Sequence, residues 1–259
     1  MSSTKPIGIF DSGIGGTSIW KEIHTLLPNE NTIYLADSKN APYGQRTKEE
    51  IIALSKKNTE ELIRQGCKMV VVACNTATTN AIKELRSNYD IPFIGIEPAI
   101  KPAANLSETE TIGILATKGT INSELFNRAV ESFSNVKIIE QIGFGLVQLI
   151  EEGKMESQEM TTLLEEYLKP MVEANMDYLV LGCTHYPYLI PQIKKIIPDH
   201  IKIIDSGKAV AKQTKSILQK NNLLNLSEEK SRQFFYTNSD STVLKNILGF
   251  TENVAYKDF

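Results

Sequence analysis

Short runs of Ile, Val and Leu recur along the chain between longer segments whose apolar residues return every three to four positions. That alternation predicts buried parallel strands joined by covering helices. The fold class expected is therefore α/β: two similar α/β domains with mostly parallel sheets and helices on both faces. The strand candidates are KPIGIF, TIYLA, KMVVVA, PFIGI, TIGILA, VKIIE, DYLVLG and IKIID. Thr47 and Glu50 have the spacing of a capping box, opening a helix that Gly66 can close. A further helix fills about 188–197 and stops at Pro198, and Pro170 should kink or divide a helical run from about 157 to 175.

The division into two domains comes from a weak internal repeat. IGIFDSG from Ile7 reads like IGILATKG from Ile112, and VVVACNTA from Val70 reads like LVLGCTHY from Leu179, in the same order. Chance similarity between buried strands is the plain alternative. On the repeat, the chain crosses between domains over Ile96 to Ala103 and returns near Asp205 to Gly207. The first domain is then 1–97 plus 208–259 and contains Cys74; the second is 98–207 and contains Cys183. The tail from Leu223 to Phe259 carries no recognisable chemistry, and its pieces FFY and NVAY read as a return to the first domain.

Composition narrows the setting. With 259 residues, 41% of them hydrophobic, the chain can bury a core without disulfides or structural metal. Its three cysteines, Cys67, Cys74 and Cys183, are odd in number and suit a reducing compartment. The 28 Lys and Arg against 31 Asp and Glu include no basic run suited to a phosphate backbone, so no nucleic-acid partner is expected. Asp11 ends the apolar run Ile7 to Phe10 too early for an export signal, and Met69 to Cys74 is too short to cross a bilayer. The expectation is a cytoplasmic protein with no membrane partner.

Ligands of parallel α/β sheets bind beyond the carboxyl ends of the strands, where helix N-termini converge. Those ends present Asp11-Ser12-Gly13, Cys74-Asn75-Thr76, Ala116-Thr117 and Cys183-Thr184-His185. Facing domains would bring Cys74 and Cys183 to one pocket from opposite sides. Inverting a carbon beside a carboxylate needs a base on one face and a proton source on the other, and a thiolate with a thiol supplies both. Asn75, Thr76, Thr184 and nearby amides are candidates to hold the substrate carboxylate. This scheme requires no metal and no organic cofactor.

Other readings compete for the same residues. Cys67 opens a strand and reads as inert packing. Asp11, with Ser12 in support, can simply cap the following helix, and His185 can be a satisfied turn histidine. Gly13, Gly15, Gly16 and Asp37 suggest a dinucleotide site, but the third glycine of that fingerprint falls on Ser18. Cys74, Cys183, His185 and Asp11 form a possible zinc set without recognised ligand spacing. A two-lobed amino-acid binder that catalyses nothing is the rival of another class.

At FDSGIGG from Phe10, APYGQRT from Ala41, ACNTATT from Ala73, GILATKGTI from Gly113, LVQLIEEG from Leu146 and GCTHYP from Gly182, the sequence resembles the glutamate racemases. These are cofactor-independent enzymes that interconvert L- and D-glutamate for bacterial peptidoglycan. The resemblance implies an active site in the interdomain cleft and a homodimer. It assigns Cys74 and Cys183 as the acid–base thiols, acting on the D- and L-enantiomer respectively. Asp11 and His185 would assist them, one each. Ser12, Tyr43, Gly44, Asn75, Thr76 and Thr184 match substrate-contacting positions, with Thr117 a further candidate. A site glutamate falls on Glu151, with Glu152 as the alternative. Aspartate and hydantoin racemases share the paired thiols, and a racemase of another amino acid such as aspartate remains the runner-up. A carboxylate beside a thiol raises its pKa, so Asp11 is not expected to activate Cys74 by charge alone.

Overall fold

The computed structural model describes residues 3–227, 229–251 and 253–259. Its strands are β1 (Ile7–Asp11), β2 (Thr32–Ala36), β3 (Met69–Val72), β4 (Phe93–Gly95), β5 (Thr111–Ala116), β6 (Lys137–Ile142), β7 (Tyr178–Gly182), β8 (Lys202–Ile204), β9 (Gln233–Thr237) and β10 (Val254–Tyr256). Between them run α1 (Thr17–Leu26), α2 (Lys48–Arg64), α3 (Asn75–Asn88), α4 (Ile100–Leu106), α5 (Lys118–Ile121), α6 (Glu124–Glu131), α7 (Leu146–Glu151), α8 (Gln158–Glu173), α9 (Ile190–Ile196), α10 (Gly207–Lys220) and α11 (Thr242–Leu248). All eight strand candidates form strands, and the tail pieces form β9 and β10.

Every recorded strand pairing is parallel. One sheet has the order β10-β9-β2-β1-β3-β4, the other β6-β5-β7-β8. The core of the first, β2-β1-β3-β4, and the whole of the second follow the same winding. The sequence repeat is thus a repeat of topology, with β5 standing for β1 and β7 for β3. Strands from both ends of the chain build the larger sheet, and the middle builds the smaller.

Burial follows position in the sheet. Central β1, β3 and β7 are buried throughout, because layers cover both faces, whereas edge strand β6 is half-exposed. Within β3, Met69 and Val71 pack on one face and Val70 and Val72 on the other, and Cys74 continues the second set. In β7, Leu179 and Leu181 share a face that Cys183 continues. The period of two therefore gives both thiols the same relation to their own sheets.

The two crossings lie together. Pro98 approaches Gly182 at the end of β7, and the Ser206 hydroxyl donates to the Glu97 carbonyl. From there α10 packs along α1.

Local signals behave as their chemistry demands, with one exception. Thr47 and Glu50 make both bonds of the capping box, and Gly66, at φ +79°, takes the left-handed turn after α2. Pro170 does not divide its helix: α8 runs unbroken through it. Pro170 and Glu166 are both exposed, so the carbonyl that loses its amide partner faces water. Among the described residues no helix is long and apolar enough to cross a membrane.

Candidate active site

The carboxyl ends of the two sheets face each other across a narrow cavity of about 10 Å³. Cys74 and Cys183 both line it, at 4% and 7% exposure. Ser12, Tyr43, Gly44, Asn75, Thr76, Thr117, Thr184 and His185, all expected from sequence, line it too, joined by Pro42 and Val147. Asp11 and Glu151 stand behind that wall. Asp11 is fully buried, and Glu151 opens instead onto a separate cleft shared with Gln148 and Asp240.

Cys74 is the N-cap of α3. Its Sγ accepts from the Ala77 amide at 3.4 Å and lies 3.7 Å from the Ser12 hydroxyl. Burial nevertheless pushes its thiol well above the ordinary range, and the nearby Asp11 carboxylate pushes the same way, against the pull of those two donors. The charge conflict anticipated between Asp11 and Cys74 is therefore present. Asp11 itself is raised to about 6 by desolvation, although His185 and the Gly16 amide favour its ionised form. Its Oδ2 accepts from Gly16 N–H at 2.8 Å, but Gly16 is itself the N-cap of α1, so Asp11 braces the turn before that helix and does not cap it. Its Oδ1 accepts from the Thr184 hydroxyl, 3.3 Å away in the other unit.

Around Cys183 the partners change. The Sγ lies 3.7 Å from His185 Nδ1, and His185 Nε2 lies 2.6 Å from Glu151 Oε1. Burial opposes a charge on this ring, but the bonds to Cys183 and Glu151 and the field of Asp11 outweigh it and hold His185 well above its usual range. Glu152, the alternative to Glu151, faces solvent and pairs with Lys154 at 2.7 Å. Adjacent helix positions point about 100° apart, so only one of them can reach the ring.

Gly13 and Gly15 of DSGIGG serve this contact. A Cβ at Gly13 would collide with the Glu151 carboxylate, and one at Gly15 with the His185 ring. Ile14 N–H donates to Glu151 Oε1 at 2.7 Å, and Ser18 Oγ donates to the Thr184 carbonyl at 2.9 Å. The loop after β1 is thus pressed against the second unit, and small residues are what let it come so near.

Two polar groups of the wall are unusual. Asn75 is 3% exposed, yet neither its amide nitrogen nor its oxygen has a partner among the described residues, which leaves both for a ligand. Thr76 and Thr117 share a hydroxyl bond of 2.8 Å across the units, and Thr120 closes a triangle with them at 3.2 and 3.1 Å. Thr120 was not expected from sequence; its place three residues after Thr117, on one helical turn, is the signal that marks it.

Asp37, the residue of the dinucleotide reading, accepts from the Tyr43 hydroxyl and from Asn238 Nδ2 at 2.5 Å. It fixes a cavity wall rather than facing a ribose. Cys67 is buried away from the cavity and pushed up to about 12 by desolvation, consistent with packing alone. Among the described residues no cluster of His, Cys, Asp or Glu is arranged to hold a metal ion.

Comparison with known proteins places this geometry. A family model described as Asp/Glu/Hydantoin racemase matches residues 7–214. The chain is 41% identical over 237 residues to the glutamate racemase of Herpetosiphon aurantiacus, covering 91% of this chain and 93% of that one. The crystal structure of glutamate racemase from Francisella tularensis in complex with D-glutamate superimposes with a TM-score of 0.85 at 30% identity, covering 98% of both chains. That of the Escherichia coli glutamate racemase, in complex with L-glutamate and the activator UDP-MurNAc-ala, gives 0.86 at 29% identity over 97% of this chain and 98% of that one.

Proposed function

The chain belongs to the Asp/Glu/hydantoin racemase family, and on that premise we propose that it interconverts L- and D-glutamate by a two-base mechanism with Cys74 and Cys183 as the bases. The single observation that carries the reading is that both sulfurs line one cavity, each at the end of the equivalent strand of a repeated sheet.

In the direction from L to D, Cys183 takes the α-proton as thiolate and Cys74 returns one as thiol from the opposite face. The roles exchange in reverse. As the C–H bond breaks, its electron pair spreads onto the substrate carboxylate, where hydroxyl and amide donors stabilise it. The unpartnered Asn75 amide, Ser12, Thr76, Thr117 and Thr184 are the donors that we assign to this task. Glu151 keeps His185 protonated and oriented, with its Nδ1 3.7 Å from the Cys183 sulfur. On the other side, the burial of Cys74 and the Asp11 carboxylate favour the thiol that this direction requires. The scheme draws on no metal and no organic cofactor.

The reading extends, on the resemblance to glutamate racemases, to supply of D-glutamate for peptidoglycan in the cytoplasm by a homodimer. It also takes the chain as two domains, 1–97 plus 208–259 and 98–207, a division supported by the membership of the two sheets. Incubation with L-glutamate in heavy water tests the chemistry. Optical rotation should decay to zero, with α-deuterium appearing in the D-product, and prior dialysis against a chelator should not slow the reaction. L-Aspartate under the same conditions should stay unchanged; faster racemisation of aspartate would transfer the assignment to that substrate, and no exchange with either would favour a binding protein.

A further inference from the structure

The thiol cavity is nearly closed, and the geometry shows where it opens. Pro42, Gly44, Thr117 and Val147 line both the cavity and a small outer recess that also holds Gln45 and Lys118. Gly44 and Lys118 in turn line a wider cleft at the seam of the two units, between the start of α2, the middle of α3 and the start of α6. Gly44 is therefore common to the linings of all three spaces, which adjoin at that residue.

The charge along that path is not that of the whole molecule. The chain carries a net charge of −3, yet the outer cleft presents Arg46, Lys48, Lys83 and Lys118. Its acids, Glu84 and Glu124, are already neutralised by Lys56 at 2.8 Å and by Arg128. Arg46 faces Glu50 at 3.7 Å, whereas Lys48, Lys83 and Lys118 make no ion pair among the described residues. These three side chains are exposed and come from both units. Uncompensated cations beside a low-dielectric passage concentrate anions at its mouth.

We propose that this cleft is the entrance vestibule of the site, and that Lys83 and Lys118, supported by Lys48, select and draw in amino acids of net negative charge. The inference rests on the glutamate reading above and adds to it the residues that recruit the substrate before it meets a thiol. Lysine at these positions acts on the approaching anion and takes no part in proton transfer.

The double variant Lys83→Gln/Lys118→Gln tests this against Lys212→Gln/Lys220→Gln, which removes the same charge from exposed positions on α10. At low ionic strength the vestibule variant should raise the KM for glutamate about fivefold with kcat within twofold, the size expected for two charges acting through solvent at short range. The gap should shrink to within twofold at high salt, while the α10 variant should match the unmodified enzyme throughout. Equal KM values in the two double variants, or a KM gap that salt does not reduce, would overturn the proposal. Because each variant is compared with an enzyme that turns over glutamate, that outcome is distinct from failure of the racemase reading, in which the unmodified chain would not act on glutamate at all.

Discussion

The turn after β3 and the turn after β7 hold equivalent places in two sheets wound alike, and each begins with a cysteine, but their surroundings differ. Position by position, Asp11 of the first unit stands where the second has Ala116, and Thr76 where the second has His185. The first thiol is held by a helix amide and a serine beside a buried carboxylate; the second lies against an imidazole backed by Glu151. A shared scaffold thus presents two like sulfurs, while one ionisable residue per unit makes them chemically unlike. For a reaction whose substrates are mirror images, this unlikeness sits in the protein and not in the equilibrium, so kcat/KM must stay equal in both directions in every variant.

Removal of either sulfur is the most severe way to break the comparison. Cys74→Ser and Cys183→Ser should each lower kcat by about 10³-fold or more in both directions, because in the proposed mechanism each thiol is a base one way and an acid the other. Circular dichroism should show both variants folded. Normal turnover by either variant would remove that residue from the mechanism.

A smaller perturbation falls on the second thiol alone. Gly15→Ala drives a methyl into the His185 ring and should displace it from Cys183, lowering kcat by about 10²-fold, the usual result of a displacement near 1 Å in a positioned group. Ala116→Gly, at the strand end that the repeat matches to Asp11, should cost far less, as progress curves from both enantiomers would show.

The mildest test isolates Asp11 and reads stability. Its carboxyl titrates near 6 in the folded chain against an ordinary 3.8, so folding favours its protonated form. The associated stability is fully present below pH 3.8 and is lost as pH rises through 6. Asp11→Asn does not titrate, so between pH 4 and pH 8 its stability relative to the unmodified chain should improve by on the order of 3 kcal/mol, measured by urea unfolding at each pH. A gap that does not change with pH would mean that folding leaves the Asp11 carboxyl at its ordinary value.

The strands were legible because a central parallel strand must be apolar on both faces, which leaves an unmistakable run such as MVVV. The repeat was legible because it includes the strand ends, where Cys74 and Cys183 recur in register. Contacts between the units were not. Nothing in DSGIGG announces that Gly13 faces Glu151 or that Gly15 faces His185, since those contacts join residues more than a hundred positions apart. A separation of 44 positions likewise hid the bond between Thr120 and Thr76. Pro170 does not divide α8 because the Glu166 carbonyl that loses its amide partner belongs to an exposed position.

Asn238 follows β9 and grips the same carboxylate that steadies Tyr43. The last stretch of the chain is therefore a buttress for the chamber that holds both thiols. A polypeptide cut short before Gln233 would keep both sulfurs and every donor around them, yet one side of the chamber would have lost its anchor.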